Sequence, residues 1–301
     1  MKYLLTFILL CFSLSAEMIV VKGAAGAAEF QEPLNSAADK WQEAAKKGEI
    51  KSILIEGENS KKSFLETIKN VKAESAEPLW IVLLGHGTYL NGMAKMNLTG
   101  EDLSAEDLKN SLKDLKREVI LINCASASAP FLVELSGPER IIVTATKNQA
   151  QIYYTKFNEI MAEAISAKNA DFDKDGQTSL LESYLFASHK VKEFYQADKR
   201  IQGENALIDD NGDKKGSLLE MFSGLNPKKS GAKIDGFRAH QLHLIPSDAE
   251  KKMNPELQRQ RDNLELQLHK LKLKKASMNE ELYYKELELI LKKLAKIYNQ
   301  N

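Results

Sequence analysis

The sequence predicts an α/β fold with a doubly wound, mainly parallel sheet in the first half of the chain. Five short segments there are almost continuously apolar instead of alternating, which is typical of strands that are covered on both faces. They lie at 18–22, 52–56, 79–84, 118–122 and 140–145. Amphipathic segments separate the first four of them, near 37–47, 60–75 and 105–115. A repeated order of strand, helix and strand indicates parallel strands joined by crossover helices.

The first sixteen residues have the pattern of a secretory signal peptide. Lys2 precedes an apolar run that ends at Leu14, and the small residues Ser15 and Ala16 follow. We therefore expect cleavage after Ala16 and an exported protein, either periplasmic or secreted. Cys11 as a lipidation site is the weaker alternative, because the small residue usual before a lipidated cysteine is missing. No later segment approaches the roughly 20 apolar residues of a membrane span.

Charge and cysteine content narrow the function. The chain has 42 basic and 42 acidic residues, and loss of Lys2 with the signal leaves 41 against 42, a net charge near −1. That balance argues against nucleic-acid binding, which favours a basic surface. Of the two cysteines, only Cys124 lies beyond the signal segment, so no internal disulfide can form. An unpaired thiol in an oxidising compartment is expected to be buried or used.

Composition divides the chain into five parts. After the signal (1–16) we expect an α/β domain (17–170), an acidic helical region (171–221), an exposed linker rich in Gly, Pro, Ser and Lys (222–253), and a helical hairpin or coiled coil (254–301). Leucines recur at helical spacing in the last part, with mixed charges between them, which favours an interaction element and possible self-association. Capping-box patterns begin at Ser36, Ser104 and Ser277.

Two reactive side chains follow consecutive predicted strands. His86 lies two residues after the segment 79–84, and Cys124 lies two residues after 118–122. A right-handed crossover makes the two strands parallel, so both side chains should emerge at the carboxyl edge of the sheet. An imidazole beside a thiol generates a nucleophilic thiolate, and the backbone N–H groups of Gly87 and Cys124 are candidate oxyanion donors. The pattern is that of an acyl-transfer site.

At these residues the sequence resembles the legumain family of cysteine peptidases, within the wider caspase-like group. The resemblance covers about residues 18–170 and depends on WIVLLGHG (80–87) and VILINCASAS (119–128). It implies a caspase-like sheet, His86 as general base and Cys124 as nucleophile, and a protein or peptide substrate cleaved after Asn or Asp. The specificity pocket would then include Thr146, Lys147 and Gln149. The acidic residues that flank the cysteine in legumains are replaced here by Ile122 and Ala125.

Two other interpretations of Cys124 stay open. A single cysteine at a strand end is often a buried structural thiol, in which case the sheet domain is a non-catalytic scaffold or part of a calcium-dependent interaction module. A metal site of Cys124 with His240 and His243 is the less favoured alternative, since no further ligand cluster accompanies it.

Residues 171–182, DFDKDGQTSLLE, match the spacing of an EF-hand loop that binds Ca²⁺. Carboxylates occupy alternate positions, Gly176 falls at the sharp turn, and a glutamate closes the loop. The predicted ligands are Asp171, Asp173, Asp175, Gln177, Ser179 and Glu182.

A second loop repeats the spacing 38 residues later, with Asp209, Asn211 and Asp213 as predicted ligands and with Ser217 and Glu220 at the later positions. Lys214 stands where an EF-hand has glycine, and a lysine must adopt the left-handed conformation at a cost of about 1 kcal/mol or more. We therefore expect weaker calcium binding at this loop, or a purely structural turn.

Overall fold

The structure is a computed structural model that describes residues 17–229 and 234–299. The predicted signal peptide, including Cys11 and the cleavage position after Ala16, lies outside the described residues. Among the described helices, none is long and apolar enough to cross a membrane.

A six-stranded sheet forms the centre of the protein. Its order is β2-β1-β3-β7-β8-β9, and every pair is parallel except β8 with β9. The strands of this sheet are β1 (Met18–Lys22), β2 (Ser52–Ile55), β3 (Leu79–Leu84), β7 (Val119–Asn123), β8 (Arg140–Thr144) and β9 (Leu207–Asp209). The mixed α/β class and the mainly parallel sheet are therefore confirmed. The added edge strand β9 comes from a segment without a strand pattern.

Ten α-helices lie within the described ranges. They are α1 (Ala28–Lys47), α2 (Ser60–Asn70), α3 (Ala105–Leu112), α4 (Ala129–Leu135), α5 (Phe157–Ala164), α6 (Leu180–Ala197), α7 (Phe237–His240), α8 (Asp248–Lys252), α9 (Pro255–Lys274) and α10 (Glu280–Tyr298). Both faces of the sheet are covered. Val82 and Ile122 pack into one apolar cluster with Trp41 of α1, whereas Ile81 and Leu121 pack into another with Phe64 of α2. This two-sided burial explains why the strands are apolar without alternation.

Local sequence signals located some helix starts and missed others. Ser104 caps α3 in a complete capping box with Asp107, as expected. Ser36, by contrast, lies inside α1, which begins at Ala28. Its Ser-x-x-Asp pattern is therefore accidental, because the preceding residues 28–35 continue the helix.

A small antiparallel sheet follows His86, and the strand pattern did not reveal it. It consists of β4 (Gly87–Leu90), β5 (Met93–Met96) and β6 (Leu103–Ser104) in that order. Asn91 and Gly92 form its turn with positive φ angles of 51° and 78°. This Asn-Gly pair is the usual signal of a two-residue hairpin.

The predicted exposed linker is wrong in its second half. Residues 234–253 contain α7 and α8, and both Ala239 and Leu244 are completely buried. Asp235 is also buried and accepts a hydrogen bond from the Ser217 hydroxyl at 2.7 Å. Composition indicated a connector because glycine, serine and lysine are frequent here, but a few apolar and acidic side chains anchor the segment to the body.

The terminal region forms two antiparallel helices, as the leucine pattern predicts. Leu264 of α9 packs with Leu294 and Ile297 of α10. A 3-10 turn, Lys275–Ser277, separates the helices, and Asn279 instead of Ser277 caps α10 through a hydrogen bond from the Leu282 amide.

Replacement of Ser104 by Ala is expected to lower the free energy of unfolding by about 1 kcal/mol, because the Asp107 amide loses its capping acceptor. Chemical denaturation measures the change. Ser111→Ala, in the same helix but away from its N-terminus, is the control and should change stability less. Equal effects of the two substitutions would show that the capping box contributes nothing specific.

Candidate functional site

The backbone brings the two predicted reactive residues to one edge of the sheet. β3 and β7 are parallel neighbours with Leu83 opposite Asn123, and the Cys124 amide donates to the Leu83 carbonyl at 2.9 Å. Asn158 of α5 fixes the turn before His86, since its side-chain carbonyl accepts from the Gly85 amide at 2.9 Å. The placement of both residues after neighbouring parallel strands is therefore as predicted.

Cys124 is a core residue in this structure. Its exposed fraction is 0 %, and its side chain belongs to the apolar cluster that includes Leu84, Ala145 and Phe157. Burial raises the pKa of the Cys124 thiol well above its ordinary value, and the charge of Glu204 adds to that rise. A buried thiol with a raised pKa remains protonated, and a protonated thiol is a poor nucleophile.

His86 lies under a cover of aromatic rings. Its ring centroid is 5.3 Å from that of Phe30 and 5.3 Å from that of Tyr154, and the two aromatic rings stack on each other at 4.2 Å. Burial lowers the pKa of His86, against the effect of a hydrogen bond with the Ala25 backbone. The Nε2 atom is buried and has no hydrogen-bond partner.

The imidazole and the thiol are not hydrogen-bonded to each other. The His86 ring bonds to the Ala25 backbone, and its Nε2 atom has no hydrogen-bond partner. His86 and Cys124 share an edge of the sheet, but His86 does not activate the thiol in this conformation.

Both predicted oxyanion donors are already in use. The Gly87 amide donates to the Ser126 hydroxyl at 3.0 Å, and the Cys124 amide donates to Leu83. Any side chain at position 87 would collide with the Ser126 carbonyl oxygen, which occupies the space that a Cβ atom needs. Glycine at 87 therefore allows close backbone packing against Ser126. An oxyanion role for either amide would require these bonds to break.

The predicted specificity residues differ in accessibility. Thr146 is completely buried, and its hydroxyl lies 3.1 Å from the hydroxyl of Ser128, so it cannot touch a substrate in this conformation. Lys147 and Gln149 are exposed, and their substrate-binding role stays a prediction.

Sequence reasoning missed Glu204. This carboxylate is 2 % exposed, accepts hydrogen bonds from the Lys156 and Phe157 amides at the start of α5, and accepts another from the Tyr195 hydroxyl. Burial raises its pKa to about 7, against the effect of those donors. Glu204 lies in a loop without a motif, so no local signal could have identified it.

The loop 171–182 is a tight turn that is held by hydrogen bonds from backbone amides to its carboxylates. The Gly176 amide donates to Asp171 Oδ2 at 3.1 Å with a φ of +90°, and the amides of Asp175 and Gln177 donate to the carboxylates two residues before them. Asp171 Oδ1 is buried and has no hydrogen-bond partner. A buried oxygen without a donor is costly unless something else satisfies it, and a hard cation fits that requirement.

Glu182 and His240 close the same loop from the other side. Glu182 is 1 % exposed and forms a capping box with Ser179 at the start of α6. His240 Nε2 lies 3.0 Å from Asp173 Oδ2. Ligand atoms of Asp173, Glu182 and His240 lie within 4.8 Å of one another, as do those of Asp171, Asp173 and Asp175. Neither group includes Cys124, which gives the alternative site of Cys124 with His240 and His243 no support.

The second acidic loop wraps similarly but uses its first carboxylate differently. The Gly212 amide donates to Asp209 Oδ1 at 2.9 Å and the Lys214 amide donates to Asp209 Oδ2 at 3.1 Å, so both carboxylate oxygens have hydrogen-bond partners. Lys214 has the left-handed φ of 66° that the EF-hand register requires. The loops are not joined to each other as paired EF-hands are: Ser179 bridges to His243, and Ser217 bridges to Ile208. These contacts fit a structural turn better than a second ion site.

Comparisons with known proteins leave the family open. No protein-family model matches the chain, and no curated protein matches it. Among solved structures, the crystal structure of the Drosophila initiator caspase Dronc is similar at 12% sequence identity, covering 67% of this chain and 82% of that chain with a TM-score of 0.43. A TM-score this low does not extend an activity to the present chain.

Glu204→Gln should make stability less dependent on pH. The native pKa of about 7 lies above the ordinary 4.5, so protonation stabilises the fold fully below about pH 4.5, and the contribution is lost as pH rises through about 7. Melting temperatures between pH 5.5 and 8.5 should therefore fall less in the variant. The control Glu74→Gln removes an exposed carboxylate and should keep the normal slope. An unchanged slope in Glu204→Gln would contradict the assignment.

Proposed function

We propose that the chain is an exported calcium-binding interaction module, built on an α/β domain whose single thiol is structural. The buried, unpartnered Asp171 Oδ1 at the head of the loop 171–182 carries this proposal. The loop offers oxygen ligands, has glycine at its tight turn and leads directly into an α-helix, and these are the features that calcium favours in EF-hand loops. Export rests on the signal-like first sixteen residues alone.

Three carboxylates in the loop supply the charge for a dication. Asp171, Asp173 and Asp175 have oxygens within 4.8 Å of one another, and repulsion among them falls when an ion binds. Glu182 already closes the loop, because its Oε1 atom accepts from the Phe172 amide at 2.7 Å and its Oε2 atom accepts from the Ser179 hydroxyl at 2.8 Å. Ion binding at Glu182 would replace some of these hydrogen bonds.

The loop also joins the sheet domain to the later segments. The Leu180 amide donates to the Leu242 carbonyl at 2.8 Å, and the Ser247 amide donates to the Gln177 side chain at 2.9 Å. Arg261 of α9 pairs in turn with Glu250 of α8 at 2.7 Å. Calcium would therefore stiffen the junction on which the terminal helices depend, and this is the basis for a calcium-dependent interaction function.

Addition of Ca²⁺ is expected to raise the melting temperature, because an ion that binds only the native state stabilises it by about 2.7 kcal/mol at 100 times its Kd. Calorimetry of the purified protein with Ca²⁺ or with a chelator measures the shift. Asp171→Asn should abolish most of it. Asp213→Asn, a matched change in the second acidic loop, should preserve it.

Two results would reject calcium binding at this loop. One is a melting temperature that is the same with millimolar Ca²⁺ and with chelator. The other is a calcium shift that survives Asp171→Asn but disappears in Asp213→Asn, which would move the site to the second loop.

A latent cysteine peptidase is the second candidate. It is favoured by the position of His86 and Cys124 after neighbouring parallel strands and by the unpartnered His86 Nε2, which is the atom a general base would use. The legumain-like motifs support the same assignment. Catalysis would require the Phe30–Tyr154 cover to open and the thiol to become exposed.

Thiol reactivity separates the two candidates. A structural Cys124 should react with iodoacetamide at least about 100-fold more slowly in the native protein than in denaturant, because reaction requires local opening. Mass spectrometry of the Cys124 peptide measures the rate, and Cys124→Ala provides the blank. A native rate equal to or above the denatured rate, with a loss on His86→Ala, would favour the peptidase instead.

A further inference from the structure

Helix α10 has two apolar surfaces, and only one of them is fully covered. Leu294 and Ile297 are buried on the inner surface against Leu264 of α9, and Tyr283 is also buried. On another side, Tyr284, Leu291 and Tyr298 recur every seven residues and are 49 %, 47 % and 54 % exposed. Of the fourteen large apolar side chains exposed in the described part of the chain, five lie on α10, and three of these five lie on this side. Such concentration in one 19-residue helix indicates an interaction surface.

The second surface borders the covered one, since Leu287 is half-buried and the Tyr298 hydroxyl donates to Glu265 of α9 at 2.8 Å, and it is symmetric along the helix. It consists of Tyr284, Leu287, Leu291, Ala295 and Tyr298, which we call the outer stripe. The intervals are three, four, four and three residues, so the pattern is the same in both directions from Leu291. Two antiparallel copies centred on Leu291 would place Tyr284 against Tyr298, and the large Leu287 against the small Ala295. That self-matching is what a two-fold symmetric interface requires.

Charge along α10 favours the antiparallel arrangement. Its first half carries Glu280, Glu281, Glu286 and Glu288 with one lysine, Lys285, and its second half carries only Lys292, Lys293 and Lys296. Antiparallel copies therefore set the acidic half of one helix beside the basic half of the other, and their dipoles also oppose. Parallel copies would place like charges together.

One charge pair flanks the stripe closely. Glu288 and Lys292 already form an exposed ion pair in one chain, with an N–O distance of 2.5 Å. Around a two-fold axis at Leu291, Glu288 lies about 3 Å along the helix axis from the position of Lys292 in the second copy, from a rise of 1.5 Å per residue. In the dimer, Glu288 of each copy can therefore pair with Lys292 of the other copy instead of with its own Lys292.

We propose that two copies of this chain associate through the outer stripe of α10, in antiparallel orientation about Leu291. The inference is independent of calcium binding and of peptidase activity, because it uses only the exposure, spacing and charge of the last helix. The leucine pattern of the last two helices indicated an interaction element. We identify its partner as a second copy of the same chain.

Light scattering of the purified full chain during size-exclusion chromatography tests the association. The expected molar mass is twice that of one chain at micromolar concentrations. Leu291→Glu places two like charges opposite each other at the two-fold axis and should give a single-chain mass. Leu289→Glu is the matched control: it makes the same change two residues away, on a side chain that is 54 % exposed outside the stripe, and should keep the double mass.

Cysteine cross-linking tests the orientation. Under mild oxidation, a mixture of Tyr284→Cys and Tyr298→Cys proteins should give a covalent dimer of unlike chains, whereas each variant alone should give little. Native Cys124 is buried and does not compete. Circular dichroism of every variant checks that the helices remain folded.

Three outcomes would overturn the proposal. A single-chain mass for the unaltered protein excludes the dimer. A double mass that persists in folded Leu291→Glu places the interface elsewhere. Cross-linking of each single-cysteine variant with itself, but not of the mixture, indicates parallel chains.

Discussion

The register of β3 against β7 is the constraint on which the site depends. Five consecutive pairs, from Leu79 with Val119 to Leu83 with Asn123, fix the two strands side by side. Because the strands are parallel, everything that follows them meets at one edge of the sheet. The same hydrogen bonding that brings Cys124 to that edge also uses its amide, and the alternation of side chains directs its sulfur into the core shared with Leu84 and Phe157.

Burial therefore decides the chemistry of the thiol more than sequence position does. The Cys124 pKa rises because the thiolate would be desolvated and would face the Glu204 charge. Glu204 binds the N-terminal end of α5, where the Lys156 and Phe157 amides donate to its carboxylate. The charged group that acts on the thiol is thus an acid that stabilises a helix start, and it opposes activation of Cys124.

The acidic loops show how similar sequences acquire different roles. In both loops an amide at the sixth position donates to the first carboxylate, from Gly176 in one and Lys214 in the other. The remaining oxygen of Asp171 is without a partner, whereas that of Asp209 accepts from Gly212. The two loops therefore differ by one backbone donor, the Gly212 amide, which the second turn places beside Asp209.

From the sequence alone we predicted the α/β class, the parallel strands, the order of elements around His86 and Cys124, and the two terminal helices. These features depend on apolar periodicity, capping residues and turn residues, which act over a few positions. Tertiary packing sets the other features: Cys124 is buried, Thr146 is inaccessible, Glu204 binds the start of α5, and Phe30 and Tyr154 cover His86. Accessibility and pKa depend on groups that are distant in the chain, and no local pattern records which of them meet.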